Sequence, residues 1–458
     1  MSPLEKNNNL SRRKFLGLVG GTALGAFIFE ACGVPEQEFV IQAPVDMPED
    51  YVKGEDDWYA TLSDTSNHGE SIIVRIMQGR AKKIEGNPDF PNTLGKHRSV
   101  TETEIQSMYH PDRISGPLYR KTSSGNHRPI SWKEAKAILN DASSSNGTKT
   151  IITKPLRGLN RGLLEKYASS KNMKHLSLAS LRDNSMYEST KDVFGTRDLP
   201  YFDIKNSDLI VSFGLDFLGS WGPVEYDNQF GKFRSKENRG YLYQIEPRMS
   251  LTAAAADKWI CSEPGKEGLI ALLIAESLSK NNNVNNSNLN KFKKLAGINN
   301  VKDLNNSNVD LSPKSVGEAT GIDYHVIEKL IEKINYSVEN GKKIMFLSGG
   351  CISGYSNSRS INALVYGLNY ITGSVNSEGG IILNPQNELK SISFNGEAIS
   401  MKSDSSWNSY KEWNEEIQNW QSGGQNLVII NNVDLLNEIP GKQRVTDALN
   451  NVKLSVGF

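Results

Sequence analysis

Short apolar segments alternate with segments of helical period through most of this 458-residue chain, and this alternation limits the possible folds more than any other feature. Apolar segments such as Leu209–Phe213 and Lys343–Leu347 have the length of buried strands. Segments of helical period, among them Gly268–Leu278 and Ser360–Ile371, lie between such strands. Strands and helices in alternation predict parallel sheets covered by helices, with ligands at the carboxyl ends of the strands. The sequence therefore predicts an α/β fold.

Two Rossmann-like α/β lobes and a smaller β-rich domain are expected along the chain. The segment Ile72–Met77, the turn Gln78-Gly79-Arg80 and the segment Ala81–Ile84 make a β-hairpin signature, which places the β-rich domain near the N-terminus. The polar, Asn-rich segment Ser279–Pro313 is predicted to be a surface excursion between the lobes. The predicted domains are the β-rich domain at 58–118, one α/β lobe formed by 119–147 with 315–458, and an inserted α/β lobe at 148–314.

The N-terminal segment carries an export signal. The motif Ser11-Arg12-Arg13-Lys14-Phe15-Leu16 matches the twin-arginine pattern. The apolar stretch Leu16–Phe29 that follows is shorter than the roughly 20 residues of a membrane-spanning helix, and it has the charged front end of a signal peptide. Residues 1–32 are therefore predicted to be a twin-arginine signal peptide, and the mature chain is expected outside the cytoplasm.

Cys32 ends this predicted signal peptide, between a small residue and a glycine. That context suits lipoprotein processing, whereas Phe29 and Glu30 do not fit the usual lipobox. A lipidated cysteine and an incidental thiol therefore both remain open. The Pro- and acid-rich segment 33–57 has no clear periodicity and is predicted to be an extended tether.

Composition excludes some classes of function. The formal net charge is zero, and the basic residues are scattered along the sequence, which argues against a nucleic-acid-binding groove. The three cysteines, Cys32, Cys261 and Cys351, have no metal-ligand spacing. Cys261 and Cys351 could form a disulfide in an oxidising compartment or could be two separate buried thiols, and spacing alone does not decide between them.

The hairpin region resembles the N-terminal domain of the molybdopterin-dependent oxidoreductases, through Trp58–Leu62 and the run Arg75–Pro88. In that family four cysteines around such a hairpin bind a 4Fe–4S cluster. The equivalent positions in this sequence are Ser63, Ser66, Glu70 and Arg98. Hydroxyl, carboxylate and guanidinium groups do not replace the thiolates that bind cluster iron. The resemblance thus implies a retained fold without its iron–sulfur cluster.

Further motifs extend the resemblance through most of the mature chain. The stretch Ser207–Phe217 looks like the family's strand and turn near a pterin nucleotide, and Glu246–Thr252, Ala256–Trp259 and Pro264–Leu269 look like its later nucleotide-binding series. Glycines at strand ends allow a phosphate to approach the backbone, but they serve equally in tight turns without any ligand. Lys266 also stands where the family usually has Thr or Ser. The candidates for a vestigial cofactor cleft are Gly214, Asp216, Pro247, Arg248, Asp257, Gly265 and Glu267.

A molybdenum enzyme of this family would need a metal ligand in the loop Leu178–Met186. Ser180, Asp183 and Ser185 lie there, although such residues in a polar loop are more often turn or capping groups. His68 and His97 flank the former cluster region and lack thiolate partners, which favours solvated loop residues over metal ligands. No nucleophile elbow or Ser-His-Asp arrangement is evident.

A narrower resemblance comes from Glu38–Val40, Pro48–Gly54 and Trp58–Thr61, which are similar to the large iron–sulfur subunit of bacterial alternative complex III. That resemblance implies a non-catalytic scaffold in a membrane-associated quinol:electron-acceptor oxidoreductase complex, on the outer face of the cytoplasmic membrane. It implies quinol-oxidising membrane subunits and multihaem cytochrome subunits as partners. The family's molybdenum cofactor and cluster are not expected in this chain. Iron–sulfur clusters are expected only in a C-terminal portion that this sequence lacks, either as a fragment or through a split gene.

Two other functions remain open. One is a molybdenum enzyme that has lost its proximal cluster and uses a ligand from the 178–186 loop. The other is a free periplasmic binding module whose old cofactor cleft takes another ligand. Molybdenum content separates the first alternative from the scaffold hypothesis, and co-purifying subunits separate the second.

Overall fold

The computed structural model describes residues 56–63, 69–122, 125–156, 158–196, 198–219, 221–295, 310–384, 389–394, 397–401 and 407–458. The predicted export motif at Arg12 and Arg13, Cys32, Ser66 and His68 lie outside these residues, as does nearly all of the predicted tether. The chain divides into two compact units. One comprises Met1–Tyr59 and Ile73–Ile84, and the other comprises Ala60–Ile72 and Glu85–Phe458.

The strands are β1 (Asp57–Ser63), β2 (Glu70–Met77), β3 (Arg80–Gly86), β4 (Leu118–Tyr119), β5 (Arg128–Pro129), β6 (Thr148–Thr153), β7 (Lys174–Ser177), β8 (Tyr201–Phe202), β9 (Leu209–Phe213), β10 (Tyr241–Ile245), β11 (Lys258–Ile260), β12 (Ile344–Ser348), β13 (Ile381–Ile382), β14 (Leu389–Phe394), β15 (Glu397–Met401), β16 (Gln425–Asn431) and β17 (Leu454–Gly457).

The α-helices are α1 (Glu104–Met108), α2 (Trp132–Ser144), α3 (Gly158–Ser170), α4 (Leu181–Phe194), α5 (Glu225–Ser235), α6 (Leu251–Ala255), α7 (Glu267–Ser279), α8 (Asn286–Leu295), α9 (Pro313–Thr320), α10 (Tyr324–Glu339), α11 (Ser358–Ile371), α12 (Tyr410–Gln421), α13 (Leu435–Glu438) and α14 (Lys442–Asn450). Short 3₁₀ helices lie at Thr101–Thr103, Ile204–Asn206 and Gly350–Gly354.

The predicted hairpin is present in the smaller unit, where β2 and β3 are neighbouring strands. Gln78 and Gly79 make the turn with φ of 51° and 71°, the left-handed conformations that a two-residue hairpin turn requires. Arg75 Nε donates to Asp56 Oδ2 at 2.7 Å, which ties the hairpin to the residue before β1.

A four-stranded parallel sheet forms the centre of the larger unit, in the order β11-β10-β9-β12. All five residues of β9 and of β12 are buried, as expected for strands covered by helices on both faces. Helix α7 lies in the same core, and its residues Ile270–Ala275 are all buried. The alternation of apolar strands with helices thus gives the predicted α/β fold.

A second parallel sheet of four strands has the order β17-β16-β6-β7. Its core contains Trp413 and Trp420 from α12, packed with Ile152 and Val428. The indole of Trp420 donates to Glu416 Oε1 at 3.0 Å, so the buried carboxylate on the same helix has a partner.

The sheets correct the predicted division of the lobes at 148 and 315. Strand β6 pairs with β16, so Thr148–Thr153 shares a sheet with residues that were predicted to lie in the other lobe. Conversely, β12 pairs with β9, so Ile344–Ser348 belongs with the strands of the predicted insertion. Strand pairing joins residues that are far apart in sequence, and hydrophobic periodicity carries no information about the partner.

The prediction of a surface excursion at Ser279–Pro313 is wrong for its first part. Helix α8 places Leu289 and Phe292 in the core of the central sheet, where both are buried. A side-chain carbon at Gly367 on α11 would lie 2.7 Å from the Phe292 ring, so the glycine makes room for it. None of the helices in the described ranges has the length and apolar character that crossing a membrane requires.

Candidate functional site

Glu70 and Arg98, two of the predicted former cluster positions, form an ion pair in the larger unit. Glu70 is 1% exposed, and its Oε1 lies 3.4 Å from Arg98 Nε. The backbone N–H of Arg98 donates to Glu70 Oε2 at 3.2 Å, and the Thr101 hydroxyl donates to the same oxygen at 2.7 Å. The buried carboxylate therefore cross-links the start of β2 to the segment after the hairpin.

A third former cluster position makes a similar link. Ser63 Oγ donates to Glu104 Oε1 at 2.5 Å, which joins the end of β1 to α1. His97, which the sequence placed beside the cluster region, lies 2.7 Å from Glu102 Oε1 through its Nε2. Oxygen and nitrogen groups that are bonded to one another in this way do not fit an iron–sulfur cluster, which needs thiolate ligands.

The glycines at the carboxyl ends of β9 and β12 pack against the chain itself. A side-chain carbon at Gly214, where φ is +69°, would lie 2.8 Å from Cys351 Sγ. At Gly350 it would lie 2.1 Å from the Gly214 carbonyl oxygen. The Cys351 N–H donates to the Gly214 carbonyl at 3.2 Å, so the two loops lie in direct contact. This close contact accounts for a glycine at both positions without a bound ligand.

Asp216 and Asp257, two predicted cleft residues, have roles within the fold. Asp216 Oδ1 accepts from both the backbone N–H and the hydroxyl of Thr252, at 3.1 and 2.9 Å, near the start of α6. Asp257 accepts from the Leu242 N–H at 2.8 Å and forms ion pairs with Arg234 and Arg239. These carboxylates hold strands and helices together.

A cluster of buried acids and a thiol lies at the same edge of the central sheet. Glu246 is 1% exposed, and its Oε2 is 3.9 Å from Cys351 Sγ. Glu267 is fully buried at the first position of α7, where Oε1 accepts from the Ser262 hydroxyl at 3.2 Å and Oε2 has no hydrogen-bond partner. Burial raises the pKa of Glu267. Burial, reinforced by the charges of Glu246 and Glu267, raises the pKa of the Cys351 thiol to about 12.

Glu267 was among the predicted cleft residues, but its proximity to Glu246 and Cys351 was not predicted. The sequence contained the information needed to predict this cluster. Glu246 directly follows β10 and Cys351 lies just past β12. Parallel strands bring their carboxyl ends to the same edge of the sheet. Cys261 is exposed and Cys351 is half-buried, and both are free thiols in this structure.

The remaining predicted cleft residues surround this edge. Pro247 is half-buried and its carbonyl accepts from the Cys261 thiol at 3.4 Å, while Arg248 is exposed. The Gly265 carbonyl accepts from Asn357 Nδ2 at 2.9 Å, and Lys266 is the exposed N-cap of α7. Pro247, Arg248 and Gly265 thus lie near the carboxyl edge of the sheet, whereas Asp257 directly precedes β11 and bonds to Leu242 near the start of β10, at the opposite edge.

Two of the three candidate molybdenum ligands are used to begin helix α4. Ser180 is its N-cap, with Oγ accepting from the Asp183 N–H at 3.3 Å and donating to Asp183 Oδ2 at 3.1 Å. Asp183 Oδ1 also accepts from the Trp221 indole at 3.0 Å. Ser180 and Asp183 thus serve as helix-capping groups, which was the predicted alternative to a role as metal ligands.

Ser185, the third candidate, lines a solvent-open cleft of about 680 Å³. Its hydroxyl accepts from Asn362 Nδ2 at 3.3 Å. Within the cleft Arg359 is held by Asp192 at 2.6 and 2.7 Å and lies 3.4 Å from Glu188, so its charge is already balanced. The residues lining the cleft are Asn184, Ser185, Glu188, Gly350, Cys351, Ser353, Gly354, Ser358, Arg359 and Tyr410.

The family of this chain is identified by comparison with known protein families. The molybdopterin oxidoreductase family model matches residues 113–457, which is most of the chain. The chain belongs to the molybdopterin oxidoreductase family. The match includes both parallel sheets and the strand-end residues described above, whereas the Glu70–Arg98 pair lies N-terminal to it.

The relatives have several different functions. The chain is 26% identical over 381 residues to a protein of Nitratidesulfovibrio vulgaris named menaquinone reductase, molybdopterin-binding-like subunit, a match that covers 81% of this chain and 52% of that protein. It is 24% identical over 420 residues to the arsenate respiratory reductase molybdopterin-containing subunit ArrA of Shewanella sp. strain ANA-3, covering 82% of this chain and 47% of the relative. The chain thus spans about half the length of these curated relatives.

A solved structure with the same fold is acetylene hydratase from Pelobacter acetylenicus, with a TM-score of 0.59 and 14% sequence identity. The match covers 87% of this chain and 58% of that one. At this identity the likeness concerns the fold alone.

The family implies a molybdopterin cofactor, and the strand-end residues fit it poorly. Gly214 and Gly350 contact the chain's own atoms, Asp216 and Asp257 are bonded within the fold, and the Arg359 guanidinium is paired with carboxylates. In the described part of the chain, no three His, Cys, Asp or Glu side chains are grouped so as to hold a metal ion. The protein's own contacts thus satisfy most of these groups, which a pyrophosphate would otherwise engage.

Proposed function

We propose that this chain is a non-catalytic, molybdopterin-oxidoreductase-like scaffold in a membrane-associated quinol:electron-acceptor oxidoreductase complex of the alternative complex III type. In this proposal the chain binds neither the molybdenum cofactor nor a 4Fe–4S cluster. It contributes a folded α/β body on which other subunits assemble.

The Glu70–Arg98 pair is the observation that carries the proposal. The Glu70 carboxylate pairs with the Arg98 guanidinium and accepts from the Thr101 hydroxyl, and the family resemblance predicts that Glu70 and Arg98 stand where redox-active members have cysteine ligands. Electrons leaving a molybdenum site in this family would pass through that cluster, so its loss favours a structural role. The similarity to a subunit named molybdopterin-binding-like from a menaquinone reductase supports the same conclusion.

Partners and location follow from the same proposal. The twin-arginine motif at Arg12 and Arg13 would carry the folded chain to the periplasmic side, and a lipid on Cys32 would add to its attachment. Quinol-oxidising membrane subunits would be neighbours within the membrane, and multihaem cytochrome subunits would accept the electrons.

The experiment is to purify the native complex through a tag on this chain and to measure molybdenum, pterin and haem. We expect molybdenum and pterin well below one per chain, together with a co-purifying multihaem cytochrome and polytopic membrane subunits. One molybdenum per chain would overturn the scaffold role. Purification of the chain without any membrane subunit would instead favour a free binding module.

A second candidate function is a molybdenum oxidoreductase that lacks its proximal cluster, and Ser185 at the cleft is the observation that favours it. Its test is the variant Ser185→Ala with Ser189→Ala as the matched control, since the Ser189 hydroxyl bonds to backbone carbonyls on α4 and at Arg359. The enzyme hypothesis predicts molybdenum in the wild type that only Ser185→Ala removes. The scaffold hypothesis predicts that neither variant changes the molybdenum content.

A further inference from the structure

Six basic side chains are exposed between residues 113 and 136, although the chain as a whole has no net charge. In the same range the sequence has a single acidic residue, Glu134, and Asp112 and Asp141 lie on either side. This surface, called here the basic patch, comprises Arg113, Arg120, Lys121, Arg128, Lys133 and Lys136 together with the apolar residues Ile114, Leu118 and Trp132.

The fold brings two parts of the patch, residues 118–119 and 128–129, side by side. Strands β4 and β5 pair antiparallel, with Leu118 opposite Pro129 and Tyr119 opposite Arg128. The Arg128 guanidinium lies 5.3 Å from the Tyr119 ring centroid and donates to Glu134 Oε1 at 2.7 Å. Glu134 therefore balances the charge of Arg128, and between residues 113 and 136 the basic residues exceed the acidic ones by five.

Large apolar side chains stand exposed among these charges. Trp132 is 61% exposed at the first position of α2, Ile114 is 69% exposed and Leu118 is 44% exposed. Burying such side chains away from water is favourable, and an indole in particular suits the boundary between water and lipid. Exposed tryptophan next to lysine and arginine is the combination that binds lipid headgroups.

We propose that the basic patch docks onto anionic phospholipid headgroups, holding this face of the protein against a membrane surface. The proposal stands on the patch itself and is independent of the scaffold role proposed above. An acidic protein surface is the competing occupant. Each basic residue near an anionic membrane adds to the attraction, and the exposed Trp132 indole suits the boundary between lipid and water, which favours the membrane as the occupant.

The experiment measures binding of the full chain to phospholipid vesicles by co-sedimentation. The chain carries Cys32→Ala so that no acyl group contributes to attachment. We expect binding to vesicles that contain phosphatidylglycerol, weak binding to phosphatidylcholine alone, and loss of binding as salt is raised well above about 0.1 M, where the Debye length falls below about 10 Å.

Two pairs of lysine variants test whether the basic patch is the surface that binds the vesicles. Lys133→Gln with Lys136→Gln should weaken partition about fivefold for each charge removed, because a basic residue near an anionic surface is worth about 1 kcal/mol. Lys329→Gln with Lys442→Gln removes the same charge from exposed positions on two other helices and should leave partition near the wild-type value. Brominated lipid should quench the fluorescence of the wild type more than that of Trp132→Phe.

Three results would each overturn the proposal. These are failure of the chain to bind phosphatidylglycerol vesicles, equal loss of binding in the two lysine pairs, and equal quenching of the wild type and Trp132→Phe. Vesicle binding is measured on the isolated chain, so its outcome does not depend on which subunits the native complex contains.

Discussion

Arg98 Nε lies 3.4 Å from the carboxylate of Glu70, which is 1% exposed and also accepts hydrogen bonds from the Arg98 backbone and from Thr101. This contact joins the start of β2 to the segment that follows β3. Here an ion pair and two hydrogen bonds make the connection. We expect this cross-link to stand in for the cluster that the family resemblance places at the same positions.

Removal of Arg98 should destabilise the protein strongly. Arg98→Ala leaves the buried Glu70 carboxylate without its counter-charge, and loss of one partner of a buried pair costs about 3–5 kcal/mol. Urea unfolding would measure the change. Arg128→Ala is the matched control, because its pair with Glu134 is 57% and 42% exposed and should be worth less than about 1 kcal/mol. Equal losses in the two variants would contradict a buried cross-link.

The double variant Arg98→Ala with Glu70→Gln tests whether the two side chains act as a pair. Glu70→Gln removes the charge that Arg98→Ala leaves unpaired, so the double variant should be less destabilised than the sum of the single variants by about 0.5–3 kcal/mol. Strict additivity in the urea unfolding free energies would show that the 3.4 Å contact contributes nothing.

Gly214→Ala should be more destabilising than Gly158→Ala. Both glycines have positive φ, +69° and +61°, so both substitutions incur about 1–2 kcal/mol of backbone strain. At Gly214 the new carbon would also lie 2.8 Å from Cys351 Sγ, whereas nothing lies within 4 Å of it at Gly158. Overpacking adds about 1–3 kcal/mol. Thermal unfolding of the two variants would measure the difference, and equal stability would refute the tight packing between the β9 and β12 loops.

Cys351 should resist alkylation at neutral pH while Cys261 reacts. Burial and the nearby carboxylates raise the pKa of the Cys351 thiol to about 12, so almost none of it is thiolate at pH 7. Cys261 is exposed. Iodoacetamide labelling followed by peptide mass spectrometry would compare the rates. Glu246→Gln should speed the labelling of Cys351, and labelling of Cys351 as fast as Cys261 in the wild type would rule out the acid cluster as its environment.

Glu267 should make the protein less stable as pH rises. Burial raises its pKa above the ordinary 4.5, so the folded chain binds more protons than the unfolded chain between the two pKa values. Stability therefore falls as pH increases through that window. Urea midpoints measured across pH should fall less steeply for Glu267→Gln than for the wild type. Glu263→Gln, at an exposed position in the same loop, should keep the wild-type slope.

The position of most helices and strands followed from the sequence because it depends on local patterns. Leu209–Phe213 was predicted with the bounds that β9 has, and the helix predicted at Gly268–Leu278 begins one residue earlier and ends one later. The assignment of Ser63, Ser66, Glu70 and Arg98 to former cluster positions also needed residue identity only, and it stays a prediction.

Tertiary structure decided the partners of these elements. The pairing of Thr148–Thr153 with Gln425–Asn431, the burial of Phe292, and the meeting of Glu246, Glu267 and Cys351 all join residues that are far apart along the chain. Hydrophobic periodicity indicates whether a residue is buried, but it does not indicate which residues pack against it. The same limit applies to Glu70 and Arg98: the sequence supplied the two residue types, and only the fold determined that they bind each other.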